Sequence, residues 1–399
     1  MLKLKRKHNL KQVAWICFAL LATLAAIWLY LSMSSEVKTP KAEVSKVTSI
    51  KPLGVESKVL FTGNSFWGRY TNDAAKKSAE PYKFPFARLN EFQRDKYDAW
   101  VTGLECPTTQ KGISMTSADM EAELSFNCDP NYLPEFAKWF DVVSLANNHT
   151  DNRGVDGFTE TQDSLAKNKI QYFGHYDPDE LNDICEVVSL PARVKYDNNT
   201  TKEGKIAVAL CGYHGVFKIP SEAAISKISE YAKYFPVIAM PHAGAEYKPG
   251  PDQIKTDMYR GMIDAGADMV IGDHPHWTQN TEVYKGKLIA YSMGNFMFDQ
   301  QFNTEVTRSA AFSVDMTSRS LKSDGLEKWT KLAESCEGYH DTCLAKAGEL
   351  GLDKVQFEYK FDVIATNNKG YQTHPAPELQ AATEQRLDWQ KTIQTLAGE

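Results

Sequence analysis

The sequence contains no Cys-x-x-Cys pair, so neither a zinc ribbon nor a thioredoxin-like site is supported. It also lacks internal repeats and low-complexity tracts. Of its 399 residues, 24 are glycine and 17 are proline, while 42% are hydrophobic and 24% are charged. This balance excludes a disordered chain, a collagen-like repeat and a small scaffold held by disulfides alone. The length allows one large domain or two ordinary ones.

Most of the chain has no excess of basic residues. The first eleven residues carry +5 and contain no acid, although the formal net charge of the protein is −6. The remainder of the chain therefore carries −11. A nucleic-acid-binding surface requires a basic stripe, so we expect no nucleic-acid partner.

Charged residues are also absent from residues 13–31, which read VAWICFALLATLAAIWLYL. As a helix this run spans roughly 28 Å, close to the ~30 Å hydrocarbon core of a bilayer. The basic flank precedes it, so the positive-inside rule places residues 1–12 in the cytoplasm and the rest outside. We therefore expect a single-pass anchor in the cell (inner) membrane and a polar tether over residues 32–57. A cleaved signal peptide is the alternative, since residues 32–34 resemble a cleavage site.

Six of the seven cysteines lie outside the apolar run, and an even number in an exported domain permits disulfides. They are Cys106, Cys128, Cys185, Cys211, Cys336 and Cys343. Cys336 and Cys343 are close in sequence and form the most favourable local pair. Cys211 ends the apolar run AVALC, which is also compatible with a buried free thiol.

Strand-like and helix-like patterns alternate along the chain, which predicts an α/β fold. Strands are predicted at residues 58–62, 99–104, 141–146, 170–173, 185–190, 205–211, 236–240, 269–271 and 354–365, with a hairpin joining 281–284 to 287–291. Helices are predicted at residues 85–95, 131–140, 157–168, 221–235 and 252–265, followed by a charged helical insertion at 320–352 and a polar helix or tail at the end.

Side chains that commonly ligate metals collect where the predicted strands end, which is where open α/β sheets bind ligands. These residues are Asn64, Glu105, Asn147, Asn148, His149, His242, His274 and His276. Each one alone has an ordinary explanation, as a hydrogen-bonded histidine, a paired carboxylate or a turn-forming asparagine. Five strand ends together favour a metal or anion site, and the ligand types suit Zn, Mn, Fe or Ni better than Ca.

Two of these histidines flank Pro275. Residues two apart in extended backbone face the same side of a strand, and proline restricts the chain between them. We therefore expect His274 and His276 to point into one site.

Six segments also carry a resemblance to a known family. They are FTGNSFWGR (61–69), GLECP (103–107), SLANNHTDNRGVDG (144–157), MPHAGAEY (240–247), AGADMVIGDHPHWTQ (265–279) and YSMGNFMFDQ (291–300). In this order, over about residues 58–315, they resemble the CapA-like family of bacterial capsule synthesis proteins, which is associated with poly-γ-glutamate. The resemblance implies a fold related to calcineurin-like metallophosphoesterases, a β-sandwich flanked by helices in four αββα layers. It implies a domain over residues 58–320, and we expect 321–399 to form an extension whose strand returns to that domain.

The resemblance also implies roles for particular residues. The ligands of a divalent metal ion, Mn, Zn or Fe, would be Asn64, Glu105, His149, His242, His274 and His276. Catalytic roles are expected for Arg69, Asn148 and His149. Substrate contacts are expected from Arg69, Asn147, Glu246 and Asn295.

The chain departs from the family pattern at positions that bear on the metal. Asn64 and Asn152 stand where the family has aspartate, and an amide oxygen is a weaker ligand than a carboxylate. Gly103 replaces an asparagine, and Asp273 replaces a histidine and would restore some negative charge. These changes predict either one metal ion rather than two or a site that binds none tightly.

Two functions follow as hypotheses. The first is a membrane-anchored, metal-dependent hydrolase or transferase that acts outside the cytoplasm on an anionic polymer or on a phosphorylated or acyl substrate. The second is a non-catalytic capsule assembly or export factor whose degenerate site binds polymer or membrane-embedded synthase subunits. A secreted sensor or adhesin on the same scaffold is a weaker third reading.

Overall fold

The computed structural model describes residues 15, 21–30, 32, 50–318, 323–336 and 340–398. Residues 15 and 21–30 of the predicted anchor are helical. The other residues of the predicted anchor, like the basic residues 1–12, lie outside the described part. Among the described residues, no helix has both the length and the apolar character needed to cross a membrane.

Residues from Ile50 onward form one compact unit with a mixed α/β fold. Its strands are β1 (Pro52–Ser65), β2 (Ala99–Leu104), β3 (Val142–Ser144), β4 (Gln171–Phe173), β5 (Cys185–Tyr196), β6 (Thr201–Gly215), β7 (Val237–Ala243), β8 (Met269–Ile271), β9 (Thr281–Tyr284), β10 (Lys287–Ala290), β11 (Asn295–Met297), β12 (Arg308–Ser318), β13 (Phe357–Asn367) and β14 (His374–Pro375).

The α-helices of this unit lie between and after the strands. They span Arg69–Lys76, Ser117–Glu123, Leu133–Phe136, Gly154–Lys167, Glu222–Tyr231, Gln253–Asp264, Thr304–Thr307, Ser323–Glu334, His340–Glu349, Gln380–Leu387 and Trp389–Gly398. The strands build one large sheet with the path β14-β13-β12-β1-β5-β6-β7-β8-β10-β9. Off this path, β11 and β2 pair with β1, β3 pairs with β2, and β4 pairs with β3.

Strand β1 connects the parts of this sheet because it changes partners along its length. Its first residues pair with antiparallel β5, its middle with antiparallel β12 and parallel β2, and its last two with parallel β11. Gly63 is needed near the end of β1, since a Cβ atom there would lie 1.8 Å from the carbonyl oxygen of Gly294. The pairing register of β1 with β2 and with β11 shifts beside Asn64, near the carboxyl end of the strand.

Two blocks of parallel strands define where a ligand can bind. One block is β1-β2-β3-β4, and the other is β6-β7-β8-β10. The bridge between His175, just after β4, and Tyr213 in β6 is also parallel. The carboxyl ends of both blocks therefore meet in one region, as expected for a ligand site on α/β architecture.

The helical insertion covers the sheet. The helix Ser323–Glu334 packs on β6 and β1, Trp329 is fully buried, and the hydroxyl of Ser189 in β5 donates to the carbonyl of Ala333. Strand β13 then returns to pair with β12 in antiparallel register from Phe357 to Asn367.

Several predicted elements differ from the structure. β1 begins at Pro52, inside the predicted tether 32–57, because residues 52–56 pair with β5 and Pro52, Val55 and Ser57 are buried. Residues 85–95 form 3₁₀ turns instead of an α-helix. Their apolar residues recur every third position, which suits three residues per turn, and Pro85 interrupts the helical hydrogen bonds.

All six cysteines outside the apolar run form disulfides, Cys106–Cys128, Cys185–Cys211 and Cys336–Cys343. The expected local pair Cys336–Cys343 is present. The alternative of a free thiol at Cys211 is wrong, because Cys185 lies directly opposite it in the ladder between β5 and β6.

The central position of β1 generates a stability prediction. Phe61 in β1 is fully buried between its partners in β2 and β12, so Phe61→Ala should lower the free energy of unfolding by about 3–5 kcal/mol. Phe217 is 79% exposed, and Phe217→Ala should change it by less than about 0.5 kcal/mol. Denaturant unfolding measures both, and equal losses would contradict the assignment of β1 to the core.

Candidate functional site

A cleft of about 1120 Å³ opens at the carboxyl ends of the two parallel blocks. Seven of the residues predicted for a site line it, namely Arg69, Glu105, Asn148, His149, Glu246, His274 and His276. Four others lie in or directly behind its wall and are buried, namely Asn64, Asn147, His242 and Asn295. The structure therefore brings the residues from separate strand ends into one place.

The first group of ligand-type atoms surrounds Glu105. This side chain is 1% exposed, and neither of its carboxylate oxygens has a hydrogen-bond partner. Burial, followed by the charges of Asp273 and Glu246, raises its pKa well above the usual value for glutamate. A buried carboxyl without partners is costly, and a cation beside it would remove that cost.

His276 and Asn64 complete this first group. Nε2 of His276 lies 3.8 Å from Oε1 of Glu105, and its Nδ1 lies 2.7 Å from Oδ1 of Asn295. Since Nδ1 donates to that amide oxygen, Nε2 presents a lone pair toward Glu105. The side-chain oxygen of Asn64 is also buried without a partner, so three buried oxygens of this group, two of Glu105 and one of Asn64, lack a donor.

The second group joins the two parallel blocks. Nε2 of His242, from β7, lies 2.9 Å from Oδ1 of Asn148 and 3.1 Å from Nδ1 of His274. Nδ1 of the same ring is 2.7 Å from Oδ1 of Asp273. Burial lowers the pKa of both His242 and His274 well below the usual value, so both rings are neutral, the form that binds metals.

His149 forms the edge of the site on the side of β3. Its ring stacks on Phe126 at 4.0 Å between centroids, and its Nδ1 is 3.0 Å from Oδ1 of Asn152. Burial lowers its pKa to about 4. A neutral ring at pH 7 accepts a proton or ligates a metal more readily than it protonates a leaving group.

Arg69 is already paired within the cleft wall. It forms a two-point contact with Asp299 through Nε and one terminal nitrogen, at 2.8 and 2.7 Å, while the other terminal nitrogen reaches Glu121 at 2.7 Å. Its guanidinium also lies 4.3 Å from the ring centre of Phe126. An anionic substrate could reach Arg69 by displacing Glu121, whose side chain is 52% exposed.

The expected substrate contacts from Asn147 and Asn295 are not supported by their positions. The side chain of Asn147 donates to the carbonyl of Leu104 and accepts from the backbone N–H of His149 and Thr150. Asn295 holds His276 and donates to Gln300 and Val306. The polar groups of both asparagines are thus occupied in hydrogen bonds that position the loops and rings of the site.

The expectation that extended backbone aligns His274 and His276 is wrong, although both rings reach the cleft. Their φ angles are +90° and +58°, in the left-handed region that costs a non-glycine residue about 1–3 kcal/mol. The two ring centres are 6.0 Å apart. The left-handed turns, rather than strand alternation, place the rings in one site.

Two departures from the family pattern, Gly103 and Asp273, are in direct spatial contact. A Cβ atom on Gly103 would lie 2.4 Å from Oδ2 of Asp273, so a larger side chain at position 103 would exclude the aspartate. Burial raises the pKa of Asp273 to about 7. Its carboxyl remains beside His242 because Gly103 leaves the space for it.

Sequence reasoning missed several contributors to the site. They are Glu121, Phe126, Tyr247 and Asp299. Asp299 lies within the motif YSMGNFMFDQ and could have been selected there. Glu121 and Phe126 belong to the excursion between Cys106 and Cys128, which only the folded chain brings to the cleft.

The donor set fits a divalent cation in chemistry, but asparagine replaces the third acidic or imidazole ligand. Among the described residues, no group of three histidine, cysteine, aspartate or glutamate side chains could hold a metal ion. In the first group, Glu105 and His276 stand with Asn64. In the second, His242 and His274 stand with Asn148, and Asp273 is bonded to Nδ1 of His242. The unpartnered oxygens of Glu105 and Asn64 nevertheless fit a cation.

The fold and cleft define a mixed α/β protein with a polar site at its strand ends, and comparisons with known proteins identify its family. A family model described as bacterial capsule synthesis protein PGA_cap matches residues 58–300, and the chain belongs to this family. The PGA biosynthesis protein CapA of Bacillus subtilis (strain 168) is 28% identical over 340 residues, which cover 78% of this chain and 86% of that protein.

Two further comparisons cover less or resemble the chain less closely. The capsule biosynthesis protein CapA of Bacillus anthracis is 30% identical over 169 residues, covering 40% of this chain and 41% of that protein. A crystal structure of a Thermus thermophilus protein covers 64% of this chain and 93% of its own, at 11% identity and a TM-score of 0.34. A similarity this low supports no further conclusion.

The disulfide Cys106–Cys128 generates a prediction about the cleft wall. It closes the excursion that carries Glu121 and Phe126, directly after Glu105. Replacing both cysteines by alanine should lower the free energy of unfolding by about 2–4 kcal/mol and speed amide hydrogen exchange in residues 107–127.

The matched control is the double alanine variant of Cys336 and Cys343, whose disulfide links the insertion. It should leave exchange in residues 107–127 unchanged. Unchanged exchange in the first variant would show that the wall does not depend on its disulfide.

Proposed function

We propose that this protein acts in capsule biosynthesis on a poly-γ-glutamate-type polymer, through a metal-dependent hydrolase or transferase site that faces outside the cytoplasm. The observation that carries the proposal is Glu105, a buried carboxylate with both oxygens unpartnered, 3.8 Å from Nε2 of His276. Membership of the capsule synthesis family supports the biological role.

Glu105, Asn64 and His276 would hold the cation, and the second group of Asn148, His242 and His274 would support a weaker one. When bound, a divalent Mn, Zn or Fe ion supplies Lewis acidity, which activates water and polarises a phosphoryl or acyl oxygen. Asn295 and Asp273 orient the two inner imidazoles through hydrogen bonds. His149, neutral and in the cleft wall, is placed to accept a proton from an incoming nucleophile.

The location outside the cytoplasm rests on two features of the chain. The uncharged run at residues 13–31, preceded by basic residues, supports a single-pass anchor in the cell membrane. Three disulfides in the compact unit support folding in an oxidising compartment.

The proposal includes a relation to calcineurin-like metallophosphoesterases with four αββα layers. It is supported by the two parallel blocks whose carboxyl ends meet at the cleft. Two separate buried apolar clusters, one around β5–β8 and one around β2 and β3, are consistent with such layers.

A metal-binding prediction follows from the asparagine in the first group. Asn64→Asp should tighten Mn²⁺ binding by roughly tenfold, because it adds a negatively charged ligand beside Glu105. Glu105→Gln should abolish binding. Titration calorimetry of the purified protein measures both, with Asn280→Asp, outside the cleft-lining residues, as control. Equal Mn²⁺ affinities for the Asn64 and Asn280 variants would contradict the first group as a metal site.

A catalytic prediction concerns the second group. His274→Ala should reduce hydrolysis of a generic phosphoester by at least about a hundredfold, since it removes a cleft imidazole that contacts His242. His374→Ala, which changes a histidine of β14, should retain activity. Wild-type protein that is inactive with every added metal would count against catalysis.

A non-catalytic capsule assembly factor is the second candidate, and the asparagines at positions 64 and 152 favour it. Among the residues that the structure describes, no three histidine, cysteine, aspartate or glutamate side chains are grouped so that they could hold a metal ion. In this case the cleft would bind polymer or a synthase subunit in the membrane.

A genetic test separates the two candidates. Cells that lack the gene should lose their capsule whichever of the two functions is correct. The variant His274→Ala/His276→Ala should fail to restore it if the site is catalytic, and should restore it fully if the protein only assembles the machinery. Quantified surface polymer is the readout, and equal protein levels in the membrane are the control.

A further inference from the structure

Arg69 carries the fixed positive charge of the cleft wall. Of the described residues that line the cleft, no other is an arginine or a lysine. Nε and Nη2 of Arg69 donate to the carboxylate of Asp299 at 2.8 and 2.7 Å, and the two side chains are 6% and 1% exposed. Breaking a buried two-point pair leaves a charge without a partner. Asp299 therefore stays on Arg69 when a ligand binds, and Nη1 is the nitrogen left for the ligand.

Nη1 of Arg69 has a partner of a different kind. It donates to Oε2 of Glu121 at 2.7 Å, and the Glu121 side chain is 52% exposed and lines the cleft. An ion pair with a solvent-exposed partner contributes little to stability. The place of the Glu121 carboxylate can thus be reached from the cleft. Exchanging it for a carboxylate of a ligand keeps both the charge pair and the hydrogen bond at Nη1.

The guanidinium group is held in place, whereas Glu121 can leave. The guanidinium carbon of Arg69 lies 4.3 Å from the ring centre of Phe126 and 5.3 Å from that of Phe66. The backbone of Arg69 has a φ of +41°, a left-handed conformation that persists where the surrounding structure enforces it and that clusters at binding sites. Glu121 is an exposed residue of the short helix Ser117–Glu123, so a change of its rotamer takes its carboxylate into solvent.

We propose that Glu121 is a specificity-determining residue that occupies a carboxylate subsite at Nη1 of Arg69 until a carboxylate of the ligand replaces it. Successive residues of a γ-glutamyl chain are joined through the side-chain carboxyl, so each residue keeps a free α-carboxylate. Such a carboxylate restores the charged hydrogen bond that Glu121 gives up, whereas a neutral amide restores a weaker one. The choice of a γ-glutamyl chain as the ligand rests on the proposed function.

Removing the internal carboxylate tests the proposal. Calorimetry with the full-length protein measures binding of a γ-glutamyl tetramer and of the same tetramer with its α-carboxylates converted to carboxamides. Glu121→Ala should bind the carboxylate tetramer about fivefold more tightly than the wild type, because no internal carboxylate competes for Nη1. Its affinity for the amide tetramer should change by less than about twofold. Equal binding of the carboxylate tetramer by both proteins, or no binding by either, would overturn the proposal.

Two further variants assign the effect to the contact with Arg69. Glu123→Ala removes the same charge from an exposed position of the same helix that does not line the cleft, and it should leave both affinities unchanged. Arg69→Lys keeps a positive charge beside Asp299 but has one nitrogen in place of three, so adding Glu121→Ala to it should not tighten binding. An equal increase in affinity in Glu123→Ala, or for both tetramers, would show a general charge effect and contradict the subsite.

The outcomes distinguish this subsite from the metal site. The affinities are measured with Mn²⁺ and with EDTA, and the effect of Glu121→Ala should persist in EDTA because neither Arg69 nor Glu121 belongs to the two ligand groups. A protein that binds no Mn²⁺ yet shows the fivefold effect would contradict the metal-dependent function alone. A protein that binds Mn²⁺ through Glu105 but shows no effect of Glu121→Ala would contradict the subsite alone.

Discussion

Strand β1 is the constraint on which the site depends. It pairs with β5, β12, β2 and β11 in turn, and so fixes the register between the two blocks of parallel strands. One block provides Asn64, Glu105, Asn148 and His149, and the other provides His242, His274 and His276. The distance of 3.8 Å between Oε1 of Glu105 and Nε2 of His276 depends on this strand, because the two residues follow strands of different blocks. The site is therefore a property of the whole sheet.

The side chains that line the cleft or lie directly behind its wall determine its electrostatic character. Glu105 and Asn64 present buried acceptor oxygens without partners, while Arg69 is paired with Asp299 and Glu121. The part of the cleft around Glu105 therefore favours a cation. An asparagine in each ligand group provides a neutral oxygen where a carboxylate would add negative charge for a metal.

The alternating pattern of the sequence was sufficient to predict the α/β class and the positions of most strands, since buried strands followed by polar residues are local features. The motifs were sufficient for the family. The partners of Arg69, the wall residue Phe126 and the pairing of Cys185 with Cys211 depend on contacts between distant segments, which local patterns do not contain. The 3₁₀ turns at residues 81–96 were missed because three-residue apolar spacing is also compatible with an α-helix. The left-handed backbone at His274 and His276 was missed because strand alternation does not encode φ.

The central claim is that the unpartnered carboxylate of Glu105 marks a cation site. Anomalous diffraction from a crystal soaked in Mn²⁺ tests it most directly. The account predicts one strong anomalous peak in contact with a carboxylate oxygen of Glu105 and with Nε2 of His276, lost in Glu105→Gln. A map with no anomalous peak in the cleft, and with Glu105 hydrogen-bonded to ordered water instead, would contradict it.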